Sequence, residues 1–203
     1  IKEARKKKEE LFTKFQFREF PSKYYFFLTI IFVFTLGNST DALLMVKAND
    51  VGVKVALIPL VYLVTSLVAV AVSIPVGAFA DSIGKEKILI AGFTIYAVVY
   101  FGFGITTSTG AIVALFALYG LYSAATDSIQ KAYISDMIDE NKKGTGLGIY
   151  NGLLGITLLP ASLIAGTLYD KVNSSVPFYF GASTAALSAI LMAVYCCVYR
   201  NHK

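Results

Sequence analysis

Six long apolar runs constrain this 203-residue chain more than anything else in it. They cover 24–46, 55–80, 88–106, 111–134, 146–168 and 177–199. Each is near or above the roughly 20 residues that cross a bilayer as a helix. Hydrocarbon offers no partner to a backbone N–H or C=O, so only helices and closed barrels span it. A barrel strand alternates apolar and polar residues over about 10 positions; these runs are continuously apolar and too long. Only 15% of the residues are charged, against about 25% in a typical soluble domain. The chain is therefore expected to be all-α and polytopic. Its six transmembrane helices occupy 24–200, after a basic cytoplasmic linker at 1–23 and before a cytoplasmic tail at 201–203.

An even number of spans puts both ends on one side. Of the 18 Lys and Arg, only Lys47, Lys54 and Lys171 fall on the opposite side. Basic excess marks the cytoplasm, so both ends are expected there, in a plasma (cell inner) membrane. The net charge of +5 then reflects topology and anionic lipid headgroups, which makes membrane lipid a partner and nucleic acid not one. In the leader, Leu11, Phe12, Phe15, Phe17 and Phe20 lie among Lys and Glu. They fit a segment lying at the inner membrane surface or a linker with scattered aromatics. A chain that starts at Ile1 with a basic leader is expected to be the remainder of something longer.

Catalytic chemistry finds little support. The adjacent Cys196 and Cys197 read as apolar filler, and His202 is the single histidine. No metal-ligand spacing or cofactor motif occurs, so no metal, no cofactor and no enzyme activity is expected. A membrane enzyme acting on lipids would need convergent His, Asp, Glu or Ser near one interface. A polytopic scaffold or sensor without flux is the other rival.

Polarity inside the spans is uneven. An ionised carboxylate near a helix centre costs on the order of 2.5–3.5 kcal/mol by insertion scales, so it must face protein or water. The first span holds Asn38, Ser39, Thr40 and Asp41; the fourth holds Tyr119, Tyr122, Ser123, Thr126, Asp127 and Gln130. The third and sixth hold no charge. The first and fourth are thus the wet pair, and the third and sixth are expected to face lipid. At 1.5 Å per residue, Asp41 falls in the outer part of its span and Asp127 in the inner part, which suits gate residues as well as solute ligands. Asp127 and Lys131 stand four apart with the acid first, the favourable order for a helical ion pair. Either that pair neutralises itself, or Asp127 serves transport. Residues 122, 126 and 130 form one stripe, and 123, 127 and 131 the next.

Thr40-Asp41 in the first span is echoed by Thr126-Asp127 in the fourth. Pro75 and Gly77-x-x-x-Asp81 in the second are echoed by Pro160 and Gly166-x-x-x-Asp170 in the fifth. Two three-helix copies follow, the second inverted because three is odd, as in many secondary transporters. Gly144, Gly148 and Gly152 recur every four residues of the fifth span. Small residues at that period let another helix approach closely, either a second bundle that slides past or a neighbour within this one.

The turn between the second and third spans carries G-x-x-x-D-x-x-G-[KR]-x-[KR] at Gly77, Asp81, Gly84, Lys85 and Lys87. It resembles the cytoplasmic loop motif of major facilitator superfamily transporters, and residues 23–200 resemble the C-terminal six-helix half of that fold. Ser82 stands where the family usually has Arg or Lys. The resemblance implies a secondary transporter working by alternating access on a small solute, with a coupled proton among its options. It implies an N-terminal six-helix half outside this chain. It implies that the first and fourth spans line a cavity, with Asn38, Asp41, Tyr122, Thr126, Asp127, Gln130 and Lys131 as candidates. The second and fifth would meet the other half, through Gly144, Thr145, Gly148 and Gly152. The 77–87 turn would be a conformational gate, with Asp81 reaching a helix N-terminus of the other half.

Overall fold

The computed structural model describes residues 20–38 and 41–200. The leader through residue 19, Ser39, Thr40 and the tail 201–203 lie outside the described residues. Seven α-helices form the six spans, and no strand occurs among the described residues. They are α1 (Ser22–Gly37), α2 (Ala42–Asp50), α3 (Ile58–Ile83), α4 (Lys85–Ile105), α5 (Thr109–Met137), α6 (Lys143–Lys171) and α7 (Val176–Arg200). Six stretches are long and apolar enough to cross a membrane, the first of them running from Ser22 to Asp50.

The first span is two helices, where the sequence suggested one. Helix α1 ends at Gly37, and α2 starts after Asp41. The approach of α1 to α7 explains why Gly37 is there. A methyl group on Gly37 would lie 1.7 Å from Thr184 Oγ1 and 2.9 Å from Gly181 Cα. Only glycine lets the two backbones come that close.

The helices pack in a pattern with internal symmetry. Helix α4 runs along α7, α1 along α7, α5 along α4, α1 along α6 and α5 along α3. By span, the contacts are three with six, one with six, four with three, one with five and four with two. Exchanging spans one to three for four to six leaves the set unchanged. The pair of three-helix units expected from the repeated motifs is thus visible in the packing.

The core lies between α1, α4, α5 and α7. Tyr24, Phe27, Leu89, Phe93, Tyr96, Phe103, Phe116 and Phe178 are fully buried in it. The third and sixth spans therefore do more than face lipid: one side of each builds the core, and the other exposes residues such as Val98, Phe101, Ile190 and Val198. The second and fifth spans are the least buried of the six. Leu60, Leu67, Val70 and Ile74 of α3 and Ile156, Leu159 and Leu163 of α6 are all exposed.

Polar ties fasten the two ends. At one end, Lys85 Nζ donates to Asp136 Oδ2 at 2.5 Å, joining the start of α4 to the end of α5. At the opposite end, the Tyr169 hydroxyl of α6 donates to Asp50 of α2. Lys47, read from sequence as an outer-side charge, is buried on α2.

Candidate functional site

Asp41 and Asp127 sit on one cavity. It holds about 480 Å³. The break in the first span presents Asn38 and Asp41 to it; α5 presents Tyr119, Tyr122, Ser123 and Asp127. Helix α3 adds Tyr62, Thr65, Ser66 and Ala69, and α6 adds Leu158. Four spans thus converge on a space rimmed by hydroxyls and two carboxylates.

Asp41 occupies the N-cap position of α2 but makes no capping hydrogen bond. Its oxygens go to the cavity instead. Tyr62 donates to Oδ2 at 2.5 Å and Tyr119 to Oδ1 at 2.8 Å. Hydrogen bonds to a charged acceptor are stronger than neutral ones, so this pair fixes both phenols. Asn38 extends the network: its Nδ2 donates to the Tyr122 hydroxyl at 3.4 Å, and its Oδ1 accepts from Tyr96 at 3.2 Å. Helix α3 can come this close to α5 because of Gly120, where a methyl would meet Thr65 O at 2.4 Å. Thr65 itself donates to Phe116 O at 2.9 Å.

Asp127 accepts from Ser123, one turn before it. The expected ion pair with Lys131 does not form; Lys85–Asp136 and Lys143–Glu140 are the ion pairs among the described residues. Lys131 is exposed and lies off the cavity wall. Two further candidates point elsewhere. Thr126 is fully buried, donates to Tyr122 O at 2.9 Å and meets α4 at Gly92, while the buried Gln130 accepts from the Tyr150 hydroxyl at 2.6 Å. Both join helices and leave Asn38, Asp41, Tyr122 and Asp127 as the sequence candidates on the cavity. Tyr62, Thr65 and Ser66 were missed, because an isolated hydroxyl in an apolar run carries no signal of which way it faces.

The glycine stripe faces outward. Gly144, Thr145, Gly148 and Gly152 are exposed, and a methyl on any of the three glycines would meet nothing within 4 Å. Packing within this bundle does not use them. Gly146, on the opposite face, is buried and accepts from the Tyr24 hydroxyl at 2.8 Å.

In the turn, Gly84 has φ +101°, a region essentially reserved for glycine. It lets α3 stop and α4 start with one residue between them. Asp81 and Lys87 are exposed; Asp81 has no hydrogen bond or ion pair among the described residues, and Lys85 is held by Asp136. A methyl on Gly77 would meet nothing within 4 Å. No cluster of three or more His, Cys, Asp or Glu that could hold a metal occurs among the described residues.

A family model for the Major Facilitator Superfamily matches residues 25–201. An uncharacterised MFS-type transporter of Methanocaldococcus jannaschii is 34% identical over 181 residues, covering 86% of this chain and 45% of that protein. Multidrug resistance protein 1 of Bacillus subtilis is 26% identical over 148 residues, covering 73% of this chain and 36% of that protein. The tetracenomycin C resistance and export protein of Streptomyces glaucescens is 28% identical over 129 residues, covering 62% of this chain and 24% of that protein. The chain spans less than half the length of each.

Proposed function

The chain belongs to the major facilitator superfamily, and on that premise we propose that it is one six-helix half of a secondary active transporter that moves a small solute by alternating access. The observation that carries this reading is the shared cavity of Asp41 and Asp127. Carboxylates at membrane depth are expensive, and here two of them border one space of about 480 Å³. The transporter names of the relatives support flux over a scaffold or a lipid enzyme.

The second half of the passage comes from an N-terminal six-helix bundle of the same parent chain. The apolar faces of α3 and α6 and the outward glycines Gly144, Gly148 and Gly152 are its docking side. Asp81 projects from the membrane edge beside that face, where a helix N-terminus of the other half would stabilise its charge. Lys85 pairs with Asp136, which links the turn to the end of α5. Asp41 and Asp127 gate the passage or couple it to a proton. The protein lies in the plasma (cell inner) membrane with both ends of this segment in the cytoplasm, as the basic residues suggest.

The test is uptake by proteoliposomes of the full-length protein across a panel of small solutes. For the solute that moves, Ala69→Trp should plug the cavity and abolish flux, and Asp81→Asn and Asp127→Asn should each slow it. Flux untouched by all three, in protein that stays folded, would remove the cavity and the turn from the mechanism.

A further inference from the structure

The cavity also carries a charge preference. Apart from its tyrosines, each ionisable group on its wall among the described residues is an acid, and no Lys, Arg or His reaches it. The two acids are held differently. Asp41 is bracketed by Tyr62 and Tyr119 and serves to fix those rings. Asp127 accepts from neutral hydroxyls, Ser123 on the cavity wall among them, and forms no ion pair among the described residues; Lys131, one turn on and off the cavity wall, still acts on its charge.

An independent feature points to the same kind of ligand. Tyr62, Tyr119 and Tyr122 are packed into the wall, with the rings of Tyr119 and Tyr122 at 5.2 Å between centroids. The negative face of an aromatic ring attracts a cation within about 6 Å. Ala69 and Leu158 add apolar surface beside them. The wall therefore offers one carboxylate outside any ion pair, the partly exposed ring of Tyr62 backed by the packed rings of Tyr119 and Tyr122, and a greasy flank, within a volume in the usual range of small-molecule sites.

We propose that the cavity takes a monovalent organic cation, an ammonium or phosphonium centre carried on an apolar or aromatic body. Asp127 supplies the counter-charge, and Tyr62, fixed by Asp41 and backed by Tyr119, supplies the ring surface. This rests on the transport reading above and names the class of its solute.

The test compares two ions of nearly equal shape and opposite sign, tetraphenylphosphonium and tetraphenylborate, by equilibrium binding to the full-length protein in detergent. The phosphonium should bind saturably and the borate should not. Asp127→Asn should weaken phosphonium binding roughly tenfold or more, and Asp127→Glu should retain most of it. Ala69→Trp should abolish it. Failure of the phosphonium to bind, equal binding of the borate, or phosphonium binding that survives Ala69→Trp would each overturn the proposal; so would unchanged affinity in a folded Asp127→Asn protein. The sign comparison is made on the unaltered protein, so it does not depend on any variant folding. These failures leave the transport reading standing. That reading is tested separately, by the flux of the Ala69→Trp, Asp81→Asn and Asp127→Asn variants and by the access of water to the cavity.

Discussion

The Tyr119 hydroxyl donates to Asp41 Oδ1 at 2.8 Å, and this bond ties the fourth span to the point where the first span breaks. Tyr62 reaches the other oxygen from the second span. One carboxylate thus joins three spans, in place of capping the helix that follows it.

Removing those donors should therefore be costly and coupled. Tyr62→Phe and Tyr119→Phe should each lower stability by about 1–3 kcal/mol, since each leaves a half-buried carboxylate short of a donor. The double variant should depart from the sum of the singles. In an Asp41→Asn background the cost of each Tyr→Phe change should shrink. Thermal unfolding of the detergent-solubilised protein measures all of these.

Two glycines of one motif should behave oppositely. Gly84→Ala forces a methyl into φ +101° and should cost about 1–3 kcal/mol. Gly77 lies within α3, and a methyl there meets nothing within 4 Å of this chain. Gly77→Ala should be neutral or should stabilise the bundle by up to about 1 kcal/mol through helix propensity. The same unfolding measurement separates them. A loss of flux in Gly77→Ala without loss of stability would point to contact with the other half.

The Lys85–Asp136 pair should matter little to stability at rest. Its carboxylate is largely exposed, and exposed pairs contribute about 0–1 kcal/mol. Lys85→Ala should lower the unfolding midpoint only slightly, and less at high salt. The charge-swapped double variant Lys85→Asp with Asp136→Lys should recover most of that loss. A drop of several kcal/mol would show that the pair is shielded by something beyond this chain.

The outward stripe offers a test of docking. Gly148→Trp and Gly152→Trp add bulk where this bundle has open space. Folding yield and helical content by circular dichroism should hold, while flux in the full-length protein should fall. Gly146→Trp is the contrast: a methyl at Gly146 would already meet Ile138 at 2.3 Å, so bulk there should disrupt folding itself.

Much of the fold was legible because hydrocarbon leaves a chain few options. Long apolar runs could only be helices, and the Thr-Asp and Gly-x-x-x-Asp echoes anticipated the exchange symmetry of their packing. The helix break after Gly37 was legible only as a soft point, since a glycine can weaken a helix there; the close approach to Gly181 that sets the glycine is a contact between distant spans. The site was half legible. Charge at membrane depth singled out Asp41 and Asp127, but the rotation of α5 decides which neighbours share their cavity. Thr126 and Gln130, one stripe over, turned out to face α4 and α6. Tyr62 and Ser66 looked like ordinary residues of an apolar helix until α3 was seen against the break.

The most direct test is the access of water to the cavity. In a background with Cys196→Ser and Cys197→Ser, single cysteines at Ser66, Ser123 and the fully buried Ser188 would be exposed to a membrane-impermeant thiosulfonate in oriented membrane vesicles. Cysteines at 66 and 123 should react from at least one side and block flux once modified, while a cysteine at 188 should stay silent. Silence at both 66 and 123 in folded protein would mean that no water reaches Asp41 and Asp127 together, and the passage described here would not exist.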